Sequence, residues 1–108
     1  MWRNSLQGNL YYSGNSDFGK EQSHENGFVS TDTKINVTSP LKGKWIGFKF
    51  IIYNLPPTKN CTMPVKLENW INKNADDKTW KKVDDKIDDG GWGNDAGRCE
   101  GFINFSII

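Results

Sequence analysis

The sequence predicts an all-β protein, an antiparallel β-sandwich, on three observations. Residues 44–54, KWIGFKFIIYN, alternate two sets of side chains with a period of two. Asn, Asp and Gly clusters punctuate the chain at short intervals, and the aromatic share of 13% stands beside an overall hydrophobic share of only 35%. A period of two is the signature of a strand with two different faces. Gly, Asn and Asp are turn residues because they tolerate left-handed backbone or bond to it. Aromatic rings bury large areas each, so few of them can support a core.

The strand at 44–54 places Ile46, Phe48, Phe50 and Ile52 on a core face. Trp45, Gly47, Lys49, Ile51 and Tyr53 fall on the opposite face, open to water or a ligand, and Leu55-Pro56-Pro57 ends the strand because proline cannot donate to a ladder. A second strand follows at 65–71, with Val65, Leu67 and Ile71 inward and Lys66, Glu68 and Trp70 outward. Residues 72–78, NKNADDK, form a turn, and 79–87 read as a third strand with an open register. Residues 9–13 and 27–31 are short strand candidates, Gly14-Asn15-Ser16 and Glu25-Asn26-Gly27 read as turns, and 101–108 read as a closing strand. Residues 88–98, DDGGWGNDAGR, read as a glycine-rich loop that exposes Trp92. About six short strands divided by turn signals suit a sandwich or jelly roll.

The 108 residues fit one domain, 1–108. A complete sandwich of this kind uses more strands, so the chain is expected to be a truncated module. A net charge of +1 without a basic block leaves no electrostatic footprint for nucleic acid. No apolar run approaches the roughly 20 residues needed to cross a bilayer. Residues 1–4, MWRN, start no signal peptide. Cys61 and Cys99 allow one disulfide or two thiols, and sequence spacing does not decide between them. Asn36-Val37-Thr38, Asn60-Cys61-Thr62 and Asn104-Phe105-Ser106 are sequons, relevant in a eukaryotic secretory pathway.

Three constellations carry chemistry. The outward face of the central strands, Trp45, Lys49, Tyr53, Lys66, Glu68 and Trp70, joined by Trp92, offers flat rings beside charged groups. Sugars have apolar C–H faces and polar edges, so this face suits a polysaccharide or glycan partner; its bland alternative is a buried or merely solvated sheet face. The loop oxygens of Asn72, Asn74 and Asp76 stand at alternate positions, as in the first half of a calcium loop. Position 6 there is Asp77 rather than glycine and position 12 is Val83, so ordinary turn chemistry competes with a structural calcium, and no other cofactor is expected. Asp84, Asp85, Asp88 and Asp89 alternate with lysines and read as a solvated strand edge.

The third constellation pairs Gln22-Ser23-His24 with 48–54, FKFIIYN. Here the chain resembles the alginate-lyase-like polysaccharide lyases of concanavalin A-like jelly-roll fold, which carry a Gln-x-His motif followed by a Phe-Lys-x-x-x-Tyr-Asn strand. The resemblance implies Gln22, His24, Lys49 and Tyr53 as catalytic residues, with Gln22 neutralising a uronate carboxylate and His24 and Tyr53 as base and acid of a β-elimination. Neutralising the carboxylate is what makes the neighbouring proton removable. Ser23 stands where the family has an aliphatic residue, Leu55 where it has Gln, and no Arg-rich motif precedes them. Residues 8–12, 20–22, 41–45 and 90–93 are also similar to uncharacterised secreted, lectin-like sandwich proteins, many of them archaeal. The expected function is therefore carbohydrate binding by a secreted domain. A lyase is the first alternative, and an assembly module using its sheet edges is the second.

Overall fold

The computed structural model describes residues 5–21, 28–30, 34–59, 61–90 and 92. Among the described residues seven strands follow in chain order: β1 (Ser5–Leu10), β2 (Asn15–Glu21), β3 (Phe28–Ser30), β4 (Ile35–Asn36), β5 (Gly47–Asn54), β6 (Val65–Asn72) and β7 (Lys81–Asp88). There is no helix among the described residues, hence none long and apolar enough to cross a membrane there. All strand pairs are antiparallel. One sheet runs β1-β2-β3, with β4 pairing the start of β2, and the other runs β5-β6-β7. A jelly roll exchanges strands between its sheets in Greek-key order, whereas the described strands pair with sequence neighbours inside each sheet apart from β4 on β2.

The sheets stack face to face. Phe18 from the first sheet meets Val65 and Leu67 from the second, with Trp92 closing the same cluster and Leu6, Val29, Phe50 and Ile52 packed around it. The rings of Phe18 and Phe50 lie 6.3 Å apart and tilted, within the range where aromatic pairs attract. The alternation expected for β5 and β6 holds: Val65, Leu67 and Ile71 are buried, and Phe50 and Ile52 line the core.

The strand β2 is absent from the sequence expectation, which placed a turn at Gly14-Asn15-Ser16. The turn instead occupies Tyr11–Gly14, closed by Gly14 N–H to the Tyr11 carbonyl at 2.8 Å and Tyr11 N–H to the Asn15 carbonyl at 2.8 Å. Gly14 has φ of 91° and the Thr38 carbonyl lies where a side chain would project, so only glycine fits there. From Asn15 the chain is a regular strand whose inward residues are Ser16, Phe18 and Lys20. Two of these three are polar, which hides the strand from a hydrophobicity pattern.

Ser16 and Lys20 find their partners between the sheets. Lys20 Nζ lies 2.9 Å from Asp88 Oδ2 and donates to the Trp92 carbonyl at 3.1 Å. The Asn69 amide donates to Ser16 Oγ at 2.9 Å and to the Asp17 carbonyl at 3.0 Å, and Ser16 Oγ donates to Asp84 Oδ2 at 3.2 Å. The solvated edge expected for the β7 aspartates is thus corrected for Asp84 and Asp88. Both face the other sheet, because pairing puts them opposite the buried Asn69 and Val65. Lys82 and Asp85 keep the outward side, with a bulge in the β6–β7 ladder at Asn69/Trp70. Cys61 is buried and disulfide-bonded; the chain's other cysteine, Cys99, lies outside the described residues.

Candidate functional site

The side of β5-β6-β7 turned away from the core is where the expected ligand residues gather. Register sets them in rows across the sheet: Lys49 opposite Trp70, Ile51 opposite Glu68 and Tyr53 opposite Lys66, continued on β7 by Lys82, Asp85 and Ile87. Antiparallel neighbours on one face stand about 5 Å apart, close enough for direct contact.

Glu68 is the hub. Its carboxylate is mostly covered, yet both oxygens are used: Tyr53 hydroxyl donates to Oε2 at 2.8 Å and Trp70 Nε1–H donates to Oε1 at 2.9 Å. Burial alone would raise the Glu68 pKa, but these two bonds, with Lys82 and Lys66 nearby, hold it below the ordinary value. The bond to Glu68, then burial and the negative charge, raise the Tyr53 pKa. Asp85 Oδ2 binds Lys82 Nζ at 3.0 Å and Lys66 Nζ at 3.3 Å. The Lys82 bond leads in lowering the Asp85 pKa, and its counterpart raises that of Lys82.

Lys49 is held differently. Its ammonium lies 4.5 Å from the Trp80 ring centroid and 5.1 Å from that of Trp70, both inside cation–π range. Among the described residues it has no carboxylate partner. Trp80 reaches this place because residue 47 is glycine: a Cβ there would stand 3.0 Å from the Trp80 ring edge. From the sequence, Trp80 is only part of a strand with open register, and Lys82 and Asp85 read as a solvated strand edge. The usable signal was the pair Gly47 and Trp80, a bare strand position matched to an unplaced large ring.

The other expected site residues are dispersed. Trp45 precedes β5 and is 89% exposed. Trp92, expected to be exposed, is a correction: it is only 7% exposed, in the core, between the Lys20 and Lys86 ammonium groups at 5.7 and 4.9 Å. Gln22 and His24 lie outside the described residues, so their separation from Lys49 and Tyr53 is not described.

Of the loop oxygens expected for calcium, those of Asn72 and Asp76 have protein partners. Asn72 donates through Nδ2 to the Asp76 carbonyl and to Asp76 Oδ1, the latter at 2.9 Å, and Asn74 N–H bonds Asn72 Oδ1 at 3.1 Å. Asp76 also accepts from the N–H groups of Lys78 and Thr79 and from the Thr79 hydroxyl. Asn72 leads these donors in driving the Asp76 pKa far below the usual carboxylate range. This is the side-chain chemistry of an Asx-type turn. No cluster of three or more His, Cys, Asp or Glu side chains suited to a metal occurs among the described residues.

Fold and face together define an antiparallel, sandwich-like all-β protein with an aromatic and charged outer sheet surface. No protein-family model matches the chain, and neither a curated protein nor a solved structure matches it.

Proposed function

We propose that this protein binds a polysaccharide or glycan on the outer face of β5-β6-β7, as a domain working outside the cell. The observation that carries the reading is Lys49 held between Trp70 and Trp80 on the same face as Tyr53 and Glu68. Rings offer flat surfaces to the C–H faces of sugars, and the adjoining Lys49 ammonium, which has no carboxylate partner among the described residues, meets hydroxyls at the sugar edges. Only two stacked sheets are needed for this, so the reading does not depend on jelly-roll closure or on a concanavalin A-like ancestry. The disulfide at Cys61 supports export, since such bonds persist in oxidising compartments.

Binding is preferred to β-elimination on one observation. The Tyr53 hydroxyl, the acid of the expected elimination, donates its proton to Glu68 at 2.8 Å, so it is turned to a neighbouring carboxylate rather than held out to a leaving group. The test is tryptophan fluorescence during titration with a panel of neutral and acidic polysaccharides. A response lost in Trp70→Ala and weakened in Lys49→Ala is expected. A flat signal with every polymer, from a folded protein, removes the proposal, and release of unsaturated sugar would restore the lyase reading.

A further inference from the structure

The outer face is organised lengthwise. The register gives four successive rows: Gly47 under the Trp80 ring, Lys49 with Trp70 and Lys82, Ile51 with Glu68 and Asp85, and Tyr53 with Lys66 and Ile87. Same-face residues follow every second position, so from the first row to the last the face runs about 20 Å along the strands. Rings stand at both ends, Trp80 and Trp70 at one and Tyr53 at the other. Trp45, 89% exposed, lies in the chain two residues before the first row.

The polar groups of the middle are spent on one another. Glu68 holds Tyr53 and Trp70, and Asp85 holds Lys66 and Lys82. A site for a single terminal sugar needs several free polar groups converging on one ring. Here separated stacking stations flank an internally bonded floor instead.

Resting on the binding reading above, we infer that the ligand is an extended glycan chain laid along β5 and β6, so that the protein recognises the interior of a polymer rather than its end. A face of about 20 Å takes about four sugar units in line. The two stations act in series: Trp70 and Trp80 with Lys49 hold one part of the chain, and Tyr53 holds a part further along.

The experiment is calorimetric titration with oligomers of one to six units of β-1,4-linked glucose, N-acetylglucosamine, xylose and uronic acid. For the series that binds, affinity rises by about tenfold or more between two and four units and levels off beyond. Tyr53→Ala lowers the affinity of tetramers and longer oligomers more than that of dimers, so the gain from lengthening falls. Tyr53→Phe, which keeps the ring, retains most of the gain. Equal affinity for one unit and six overturns the extended-chain inference and leaves glycan binding standing, as does a Tyr53→Ala loss equal for all lengths. Absence of binding by every oligomer and every parent polymer overturns both.

Discussion

Lys20 on β2 and Asp88 on β7 form a buried ion pair across the two sheets, 2.9 Å apart, with side chains 2% and 8% exposed. Charges removed from water are costly, and this pair is tolerated because its partners are close and the ammonium also bonds the Trp92 carbonyl. Removing one partner strands the other. Lys20→Met is expected to cost about 3–5 kcal/mol in denaturant unfolding. The double variant Lys20→Met with Asp88→Leu should recover much of that loss. Equal stabilities for the wild type and Lys20→Met would show that the pair is solvated.

Gly8 of β1 sits directly over Phe50 and Asn69. A Cβ there would stand 2.6 Å from Phe50 Cδ1 and closer still to Asn69 Oδ1, an oxygen that accepts no hydrogen bond among the described residues. Gly8→Ala therefore pushes the sheets apart and should destabilise by about 1–3 kcal/mol, the usual cost of overpacking. Thermal unfolding measures it, and an unchanged midpoint would mean that β1 shifts freely.

Glu68 orients the Tyr53 and Trp70 rings of the outer face. Glu68→Gln weakens the hydrogen bond, and removes the negative charge, that hold the Tyr53 proton in place, so the Tyr53 pKa should fall towards that of a free phenol. Phenolate absorbance during an alkaline titration reports this independently of any ligand. A Tyr53 titration identical in both proteins would break the assignment.

Asp84 provides a pH dependence. Burial is the main cause of its raised pKa; Ser16 and the Asp85 backbone work against it, and the charges of Asp85 and Asp17 add to it. A carboxyl whose folded pKa is raised contributes stability below its unfolded value, near 4, and loses it as pH rises through the folded value. Asp84→Asn, which resembles the protonated form, should thus be more stable than the wild type at neutral pH. The difference should shrink on acidification. Denaturant midpoints across the acid range test the sign, and a variant less stable at neutral pH would reverse it.

The alternation in 44–54 and 65–71 was enough to separate two faces correctly, and Lys49, Tyr53, Lys66, Glu68 and Trp70 do share one. Trp92 and β2 were misread for a common reason. A tryptophan among glycines and aspartates looks exposed, and Gly14-Asn15-Ser16 looks like a turn, until the partners that cover them are known. Between the turn and calcium readings of 72–78, the side chains of Asn72 and Asp76 form the bonds of the turn.

By itself the sequence determined the strand character of the central segments and which of their side chains point the same way. Both follow from a period of two that spans a few residues. Tertiary structure decided which polar groups are buried, that Trp80 joins Lys49, and that Lys20 meets Asp88 across 68 residues of chain. Local periodicity carries no information about partners so far apart. A charge becomes tolerable inside the protein only when folding supplies its counterpart.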